Sequence, residues 1–500
     1  VHHLLDERAS LTPDAIAVVH GPESWTYAHV RQASTVYAHW LKSRGVTRGD
    51  RVVIAASRAS NTVALIYAIS RLGALYVIVD EKLGSFVLRQ IADDCEPRLV
   101  VVNGTPPPGV RDAFGECVEI PEWRTLTDSG PLPAGPCLSV DPVSLIYTSG
   151  STAAPKAVVC AHREVIFSVR AIQGRLGYRN DDTVFCCLPL SFDYGLYQAY
   201  LACVSGSALV LGDAGAAGPP LLTALLHHRA TILPALPTLA TILVMLLGRS
   251  GKSAPNLRMV TNTGAALSPA LTQQLRTLLP QATVVPMFGL TECKRVTIAP
   301  VDDAEVPVGS AGTALPDTEI FVVDENDHRL PPGEVGQLVV RGPNVMSGYW
   351  RAPAETARRF RVDEFGVRSL YTGDQCRIDA KGHLYFVGRQ DEVYKQQGIR
   401  ISAAQVEAAA LDITGINGAA LLPPHGDRGA LLVVTGKLNA ETVLTELRER
   451  LGRARLPQDC RVLDTLPVRA NGKIDKRALL ETFDALIPVG ATTHNGQRHD

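Results

Sequence analysis

The chain has 500 residues, more than one domain usually holds, so two or more domains are expected. Hydrophobic residues make up 46% and charged residues 20%, a balance that suits a globular enzyme with large cores. With 49 Lys and Arg against 50 Asp and Glu the formal net charge is -1, which removes the electrostatic case for a nucleic-acid or anionic-membrane partner. The ten cysteines, Cys95 through Cys460, are scattered and form no CxxC pair, so neither a zinc site nor a disulfide framework is expected. The opening Val1-His2-His3-Leu4-Leu5-Asp6-Glu7 shows no basic stretch followed by an apolar core, and the expectation is reduced thiols in a cytoplasmic protein.

Apolar runs of strand length alternate with helical patterns from the start. Arg51 to Ala55 reads as a strand, Thr62 to Gly73 as a helix, and Leu75 to Val79 and Leu99 to Val102 as buried strands. This alternation predicts an α/β fold with largely parallel sheets. Residues 103–142 are rich in Pro and Gly and read as surface connections, as does Asp213 to Pro220. Ala230 to Gly248 carries no charge, but Pro234 and Pro237 interrupt it and Arg229 and Arg249 flank it. A strand, a turn and a buried helix fit it better than a membrane span. Near residue 389 the pattern changes to a compact stretch with a β-rich Gly429 to Gly436 and a helix from Ala440 to Leu451. The expected domains are 1–389, 390–490 and a disordered polar tail, 491–500.

One loop carries chemistry on its face. Tyr147-Thr148-Ser149-Gly150-Ser151-Thr152-Ala153-Ala154-Pro155-Lys156 follows a predicted strand, Val143 to Ile146. Small residues let backbone N–H groups approach phosphate oxygens, hydroxyls add donors, and the lysine adds a point charge. The GxxxxGK(S/T) phosphate loop is a different pattern and does not occur here. Taken alone, the segment reads equally as a polar turn after a strand.

The loop resembles the YTSGSTGxPKG signature of the adenylate-forming superfamily, which includes acyl-CoA synthetases, luciferases and nonribosomal peptide synthetase adenylation domains. Ala153 and Ala157 stand where glycines are usual. Further segments match in register: Leu72-Gly73-Ala74 to Asp80, Phe288-Gly289-Leu290-Thr291-Glu292, Gly333 to Leu338 with Gly348-Tyr349, Tyr371-Thr372-Gly373-Asp374, Gly388 to Asp391 with Lys395 to Arg400, and Asn471-Gly472-Lys473-Ile474-Asp475. The resemblance implies a large N-terminal domain of αβαβα-type sheets with a β-barrel-like subdomain, and a small mobile α+β C-terminal domain. It also implies ATP and Mg2+ as the groups required.

The implied reaction brings a carboxylate against the α-phosphate of ATP while pyrophosphate leaves, so positive charge and oriented dipoles are its main need. By resemblance, Lys473 bridges the carboxylate and the α-phosphate, and Lys156, Thr148, Ser149, Gly150, Ser151 and Thr152 cradle the phosphates. Glu292 would be the magnesium ligand, a role one carboxylate can fill beside phosphate oxygens. Thr291 would contact the α-phosphate. Phe288 and Gly289 would lie on one side of adenine, with Gly264 and Ala265 on the other. Asp374 would accept both ribose hydroxyls, Arg389 would add a ribose or phosphate contact, and Asp391 would be the hinge of the small domain. Lys395 and Gly398 would sit on the loop that faces the active site in thiol transfer.

Leu188 to Gly195 bears on the acid activated. In amino-acid-activating members an aspartate at the place of Asp193 pairs with the substrate ammonium, which needs a carboxylate once it leaves water. A similar stretch occurs in some acyl ligases, so the plain-acid reading stays open, as does a turn aspartate bonding its own backbone. By register Tyr194, Tyr197, Pro234, Thr261, Thr263, Met287, Cys293, Lys294, Arg295 and Val296 border the same pocket. Lys294 and Arg295 could hold a second carboxylate; equally, they could pair with protein carboxylates or face solvent. Asp193 with the two cations resembles the stand-alone enzymes of macrolactam pathways that activate β-amino acids, including the 3-methylaspartate type.

No GxDSL-like phosphopantetheine segment is found, so the acceptor is expected to be the thiol of a separate acyl or peptidyl carrier protein, or coenzyme A. A prolyl-carrier-protein ligase and an acyl-CoA synthetase for a non-amino acid remain the alternatives. A catalytically silent binding module is the third.

Overall fold

The computed structural model describes residues 1–56, 59–127, 137–148, 155–301, 306–389, 393–396, 399–424, 428–451, 455–469 and 472–484. The chain divides into two compact units, Val1–Gln390 and Asp391–Asp500. Each is described by itself.

The first unit is built on two mixed sheets with helices between their strands. In the nine-stranded sheet, Thr283–Phe288, Met259–Asn262, Ile232–Ala235, Thr183–Cys186, Ala208–Leu211 and Ile16–His20 run parallel as successive neighbours. Short antiparallel strands close both edges. Parallel neighbours need crossover connections, and the helices Asp193–Ser205, Leu221–His227, Pro237–Ser250 and Pro269–Leu278 supply them. The seven-stranded sheet has the order Gly348–Tyr349, Lys156–Ala161, Pro142–Thr148, Leu75–Ile78, Arg51–Ala55, Leu99–Val102, Val118–Glu119. A third sheet is antiparallel: Glu319–Val323, Val335–Arg341, Arg368–Ile378 and Phe360–Val362, with Leu384–Arg389 on the side of Arg368–Ile378. It occupies the part of the chain expected to be barrel-like.

The parallel strands are near-continuous apolar runs because helices cover both faces: Val184, Phe185, Leu233, Val260 and Val285 are all buried. The helix Asp193–Ser205 is buried from Asp193 through Cys203, so its polar groups need partners inside. Gln198 finds one in the Tyr178 hydroxyl, at 3.0 Å. At the amino ends of the strands the buried Asp182 carboxylate gathers the Arg258 guanidinium by two N–H donors, the Thr231 hydroxyl at 2.8 Å and the Arg179 backbone N–H at 2.7 Å. That cluster ties three strand beginnings together, while the carboxyl ends open toward the site.

Ala230 to Gly248 folds as the strand Ile232–Ala235 and the helix Pro237–Ser250, and no helix among the described residues is long and apolar enough to cross a membrane. The described part of 103–142 includes regular structure that its Pro and Gly content does not suggest. Pro108 opens a helix, Pro108–Phe114, at the first-turn position where proline costs no hydrogen bond.

The second unit pairs Val393–Gln396 with Ile399–Ser402, and places Ile416–Leu422, Leu431–Gly436 and Asp459–Leu463 in a three-stranded sheet. The helices Ala403–Leu411, Ala440–Leu451 and Lys476–Asp484 flank it in sequence. The core of this unit centres on Val406, Leu421, Leu432, Val434, Val443 and Leu447.

Candidate active site

In an open sheet of parallel strands, the carboxyl ends are where ligands bind. Here those ends deliver most of the residues singled out in the sequence. Thr263 and Gly264 follow Met259–Asn262, Phe288 ends Thr283–Phe288, and Asp193 opens the helix after Thr183–Cys186. Thr263 is buried, and Gly264 and Ala265 are exposed beyond it. Gly264 has a φ of +85°, a conformation that suits glycine.

The Phe288 ring lies 5.9 Å from the Phe386 ring, tilted by 30°. The turn after Phe288 is very tight: a Cβ on Gly289 would stand 1.7 Å from the Lys294 carbonyl oxygen, so only glycine fits. Thr291 and Glu292, then Lys294 and Arg295, follow in that turn.

Glu292 is buried, and its Oε1 accepts from the Tyr349 hydroxyl at 2.6 Å. Arg359 Nη1 stands 3.5 Å from the same oxygen and 3.1 Å from the Tyr349 hydroxyl. The other arm of Arg359 donates to the Thr372 carbonyl, and the Thr372 hydroxyl accepts from the Asp374 backbone N–H at 3.1 Å. Asp374 is itself buried, and Arg389 Nε lies 3.3 Å from its Oδ1 across the strand pair that joins them.

Lys156 heads the strand opposite Thr148, whose hydroxyl donates to the Lys156 carbonyl at 3.3 Å. Its ammonium stands 5.8 Å from the centre of the Tyr349 ring and 2.8 Å from Glu355 Oε2. One continuous set of contacts therefore connects Lys156, Tyr349, Glu292, Arg359 and Asp374. Ser149, Gly150, Ser151 and Thr152, between Thr148 and Lys156, lie outside the described residues, as do Asp391, Gly398, Asn471 and the tail 491–500.

The acyl side of the site is lined by charges held out of water. Asp193 is 5% exposed, Lys294 1% and Arg295 5%. Asp193 makes no hydrogen bond or ion pair with a described residue, and it stands at the start of a 13-residue helix. That start is fixed by Gly195, where a Cβ would meet the Pro189 carbonyl oxygen at 2.4 Å.

Arg295 stacks over Tyr194, its guanidinium carbon 4.7 Å from the ring centre, with a long 3.5 Å contact from Nη1 to the Lys294 carbonyl. Lys294 Nζ donates to the Thr291 carbonyl at 2.9 Å and lies 5.6 Å from the Tyr197 ring centre. Neither cation is ion-paired with a described carboxylate, and both are buried.

The Tyr197 hydroxyl and Thr263 Oγ1 are buried without a hydrogen-bond partner among the described residues. Burial pushes the Tyr197 hydroxyl well above its ordinary pKa, so it remains a neutral donor. The Tyr194 hydroxyl is anchored by Thr261 Oγ1 at 2.7 Å, and Met287 and Val296 are buried beside the turn.

Four residues here escaped the sequence reading in these roles: Arg359, Glu355, the Tyr349 phenol, and Asn344. Asn344 is fully buried and donates to the Cys293 and Arg295 carbonyls at 3.2 Å each, fixing the segment that carries both cations. The available signal was a polar residue just before Gly348-Tyr349 and a charged run just after it.

In the second unit Lys473 is exposed in a hairpin closed by the Val468–Ile474 bridge. The Lys473 carbonyl accepts from the Arg469 N–H at 2.7 Å, and Gly472 turns the chain at a φ of +77°. Lys395 pairs with Arg400 in register on the strands Val393–Gln396 and Ile399–Ser402.

Comparison with known proteins places this arrangement. The AMP-binding enzyme family matches residues 5–350, and the chain belongs to it, within the adenylate-forming superfamily of ATP-using, AMP-forming ligases. The probable non-canonical nonribosomal peptide synthetase CymA of Salinispora arenicola (strain CNS-205) is 30% identical over 494 residues. That match covers 96% of this chain and 6% of CymA. Tyrocidine synthase 2 of Brevibacillus parabrevis is 29% identical, over 95% of this chain and 13% of its own length. The chain thus spans a small part of these curated relatives. Among solved structures, VinN in complex with L-aspartate is 36% identical with a TM-score of 0.70, over 77% of this chain and 98% of VinN. The anthranilate CoA ligase AuaEII, solved with anthranoyl-AMP, shares the fold with a TM-score of 0.88 at 22% identity, over 97% of this chain and 98% of its own.

Proposed function

We propose that this chain activates an amino dicarboxylic acid, of the aspartate or 3-methylaspartate type, as its acyl adenylate and passes it to a thiol. The observation that carries the reading is a pair of opposite charges, both buried and without an ion-pair partner among the described residues, Asp193 on one element and Arg295 on another. A buried charge with no partner costs several kcal/mol unless a ligand compensates it. Asp193 suits an ammonium and Arg295, with Lys294, a carboxylate, so a substrate with both groups compensates both. VinN, solved with L-aspartate, supports the substrate class.

In this reading the substrate's amine rests on Asp193, its spare carboxylate on Arg295 and Lys294, and its reacting carboxylate points toward Thr291 and the α-phosphate. The hydroxyls of Tyr197 and Thr263 donate to whichever substrate oxygens reach them. Asp374 accepts from the ribose hydroxyls, as a carboxylate can from two donors at once, and Arg389 fixes its orientation. Phe288 and the exposed Gly264-Ala265 edge hold the adenine. Thr148, Ser149, Gly150, Ser151, Thr152 and Lys156 take the outer phosphates.

Magnesium fits the donor set. Glu292 would supply one carboxylate, which is enough for a cation that completes its shell with phosphate oxygens and water. It would neutralise phosphate charge there. Lys473, carried by the second unit and positioned by the Asp391 hinge, would bridge the attacking carboxylate and the α-phosphate. The acceptor is the phosphopantetheine thiol of a separate carrier protein, with coenzyme A as the alternative. The domain limits 1–389 and 390–490 belong to the same reading.

ATP–pyrophosphate exchange with five acids tests it: aspartate, 3-methylaspartate, alanine, β-alanine and succinate. Exchange should be strongest with aspartate or its 3-methyl derivative, since each of the other three lacks one charged group. Equal exchange with succinate would favour a plain-acid ligase. Background exchange with every acid, including proline and a panel of unsubstituted acids, would favour a silent binding module.

A further inference from the structure

The short helix Pro353–Arg359 carries two opposite charges, and each is paired with one member of the phosphate site. Glu355 Oε2 accepts from Lys156 Nζ at 2.8 Å and also from Arg358 at 2.8 Å. Arg359 Nη1 lies 3.5 Å from Glu292 Oε1. Tyr349 stands between the two pairs, with its ring under Lys156 and its hydroxyl on Glu292. It is tied to the same helix by a backbone N–H that donates to Thr356 Oγ1 at 2.9 Å.

A triphosphate competes with Glu355 for Lys156. A divalent cation on Glu292 competes with Arg359. The two side chains released, Glu355 and Arg359, lie four residues apart on one helix with the acid on the N-terminal side, the order that favours pairing. In the structure they are not paired with each other.

We propose that this helix is a partner-exchange device for the metal–nucleotide. Lys156–Glu355 and Glu292–Arg359 are replaced by Lys156–phosphate, Glu292–metal and Glu355–Arg359. The proposal rests on the phosphate and metal reading of Lys156 and Glu292 given above. Its consequence is selectivity for the metal complex. Nucleotide alone breaks the Lys156–Glu355 pair while Arg359 stays on Glu292, so Glu355 gains no new partner. The complex releases both, and the helix re-pairs its own charges. Partly exposed pairs of this kind are each worth about two- to fivefold in an equilibrium.

Equilibrium titration of the full chain with a non-hydrolysable ATP analogue, in magnesium and in EDTA, tests this. Glu355→Gln should tighten the metal-free analogue about two- to fivefold and leave the magnesium form nearly unchanged, so the ratio of the two affinities falls. Arg359→Gln removes both the pair that the metal breaks and the pair that replaces it, so the magnesium concentration needed for half-maximal binding should stay nearly unchanged; this reads the same exchange should Glu355→Gln not fold. An affinity ratio unmoved in Glu355→Gln, or a magnesium requirement lowered about two- to fivefold in Arg359→Gln, would overturn the exchange. Lys156→Ala separates the two levels. If it weakens both forms of the analogue while the ratio in Glu355→Gln stays fixed, the exchange alone fails; if it leaves both unchanged, the phosphate reading fails and takes the exchange with it.

Discussion

Arg295 lays its guanidinium over the ring of Tyr194, 4.7 Å from carbon to ring centre, and Tyr194 is the residue next to Asp193. The cation comes from the loop after Thr283–Phe288 and the anion from the start of Asp193–Ser205, so two elements far apart in sequence meet at one wall. They meet without forming an ion pair with each other. A cation stacked on an aromatic face keeps its N–H donors free at the edge, ready for a planar carboxylate. Tyr194 is itself locked through its hydroxyl to Thr261, so the platform under Arg295 is rigid.

Arg295→Met should therefore lower kcat/KM for an amino dicarboxylic acid by about 30-fold or more, the effect of removing one partner of a buried charge pair. Alanine, which has no second carboxylate, should change by about threefold at most. Pyrophosphate exchange on both acids checks it. Full activity of the variant on the dicarboxylic acid would remove the role given to Arg295.

Asp193→Asn keeps the shape and removes the charge that meets the ammonium. Exchange with aspartate should fall by a similar factor, about 30-fold, while the preference for aspartate over succinate narrows. If the preference were unchanged, the amine would bind elsewhere.

Lys473→Ala should abolish adenylation, with a loss of about a hundredfold or more in exchange rate, as for other groups aimed at charge developing in a transition state. Nucleotide binding, followed by fluorescence of a labelled analogue, should persist. Near-normal exchange would exclude Lys473 from the reaction.

The Asp182–Arg258 cluster governs acid stability. Burial would raise the Asp182 pKa, but the Arg258 guanidinium, the Arg179 N–H and the Thr231 hydroxyl outweigh it and hold the carboxyl below its ordinary value. A carboxyl depressed in the folded state contributes stability above its unfolded pKa, about 3.9, and loses it as pH falls through the folded one. Arg258→Met should cost about 3 kcal/mol at pH 7, where it leaves a buried carboxylate without its cation. The gap from the parent chain should narrow as pH falls from about 4 toward the depressed folded value, because the variant's carboxyl, lacking its cation, protonates before the parent's. Denaturation midpoints at pH 7 and about pH 3 test the sign; a gap that does not change with pH would contradict it.

What the sequence revealed follows from the range of each interaction. Strands such as Arg51–Ala55 and Leu99–Val102 and the helix Ala440–Leu451 are local apolar patterns and were legible to the residue. The helix read as Thr62 to Gly73 runs Ser60–Arg71, a shift at ends where capping decides. Helix Pro108–Phe114 was hidden because proline content reads as loop, whereas here proline starts the helix. In the site, Lys156, Glu292 and Asp374 stood out because each sits in its own short motif. Glu355 and Arg359 did not, because their meaning lies in contacts 199 and 67 residues away. Likewise the burial of Lys294 and Arg295 is a property of the folded chain that no local pattern encodes.

The most direct test is a crystal structure of the chain with an amino dicarboxylic acid and a non-hydrolysable ATP analogue. The expected result is an ammonium within hydrogen-bond distance of Asp193 and a carboxylate forked on Arg295 at about 2.7–2.9 Å, with the second carboxylate turned toward the α-phosphate. An acid bound with Asp193 and Arg295 both untouched would contradict the two-charge pocket on which the functional reading stands.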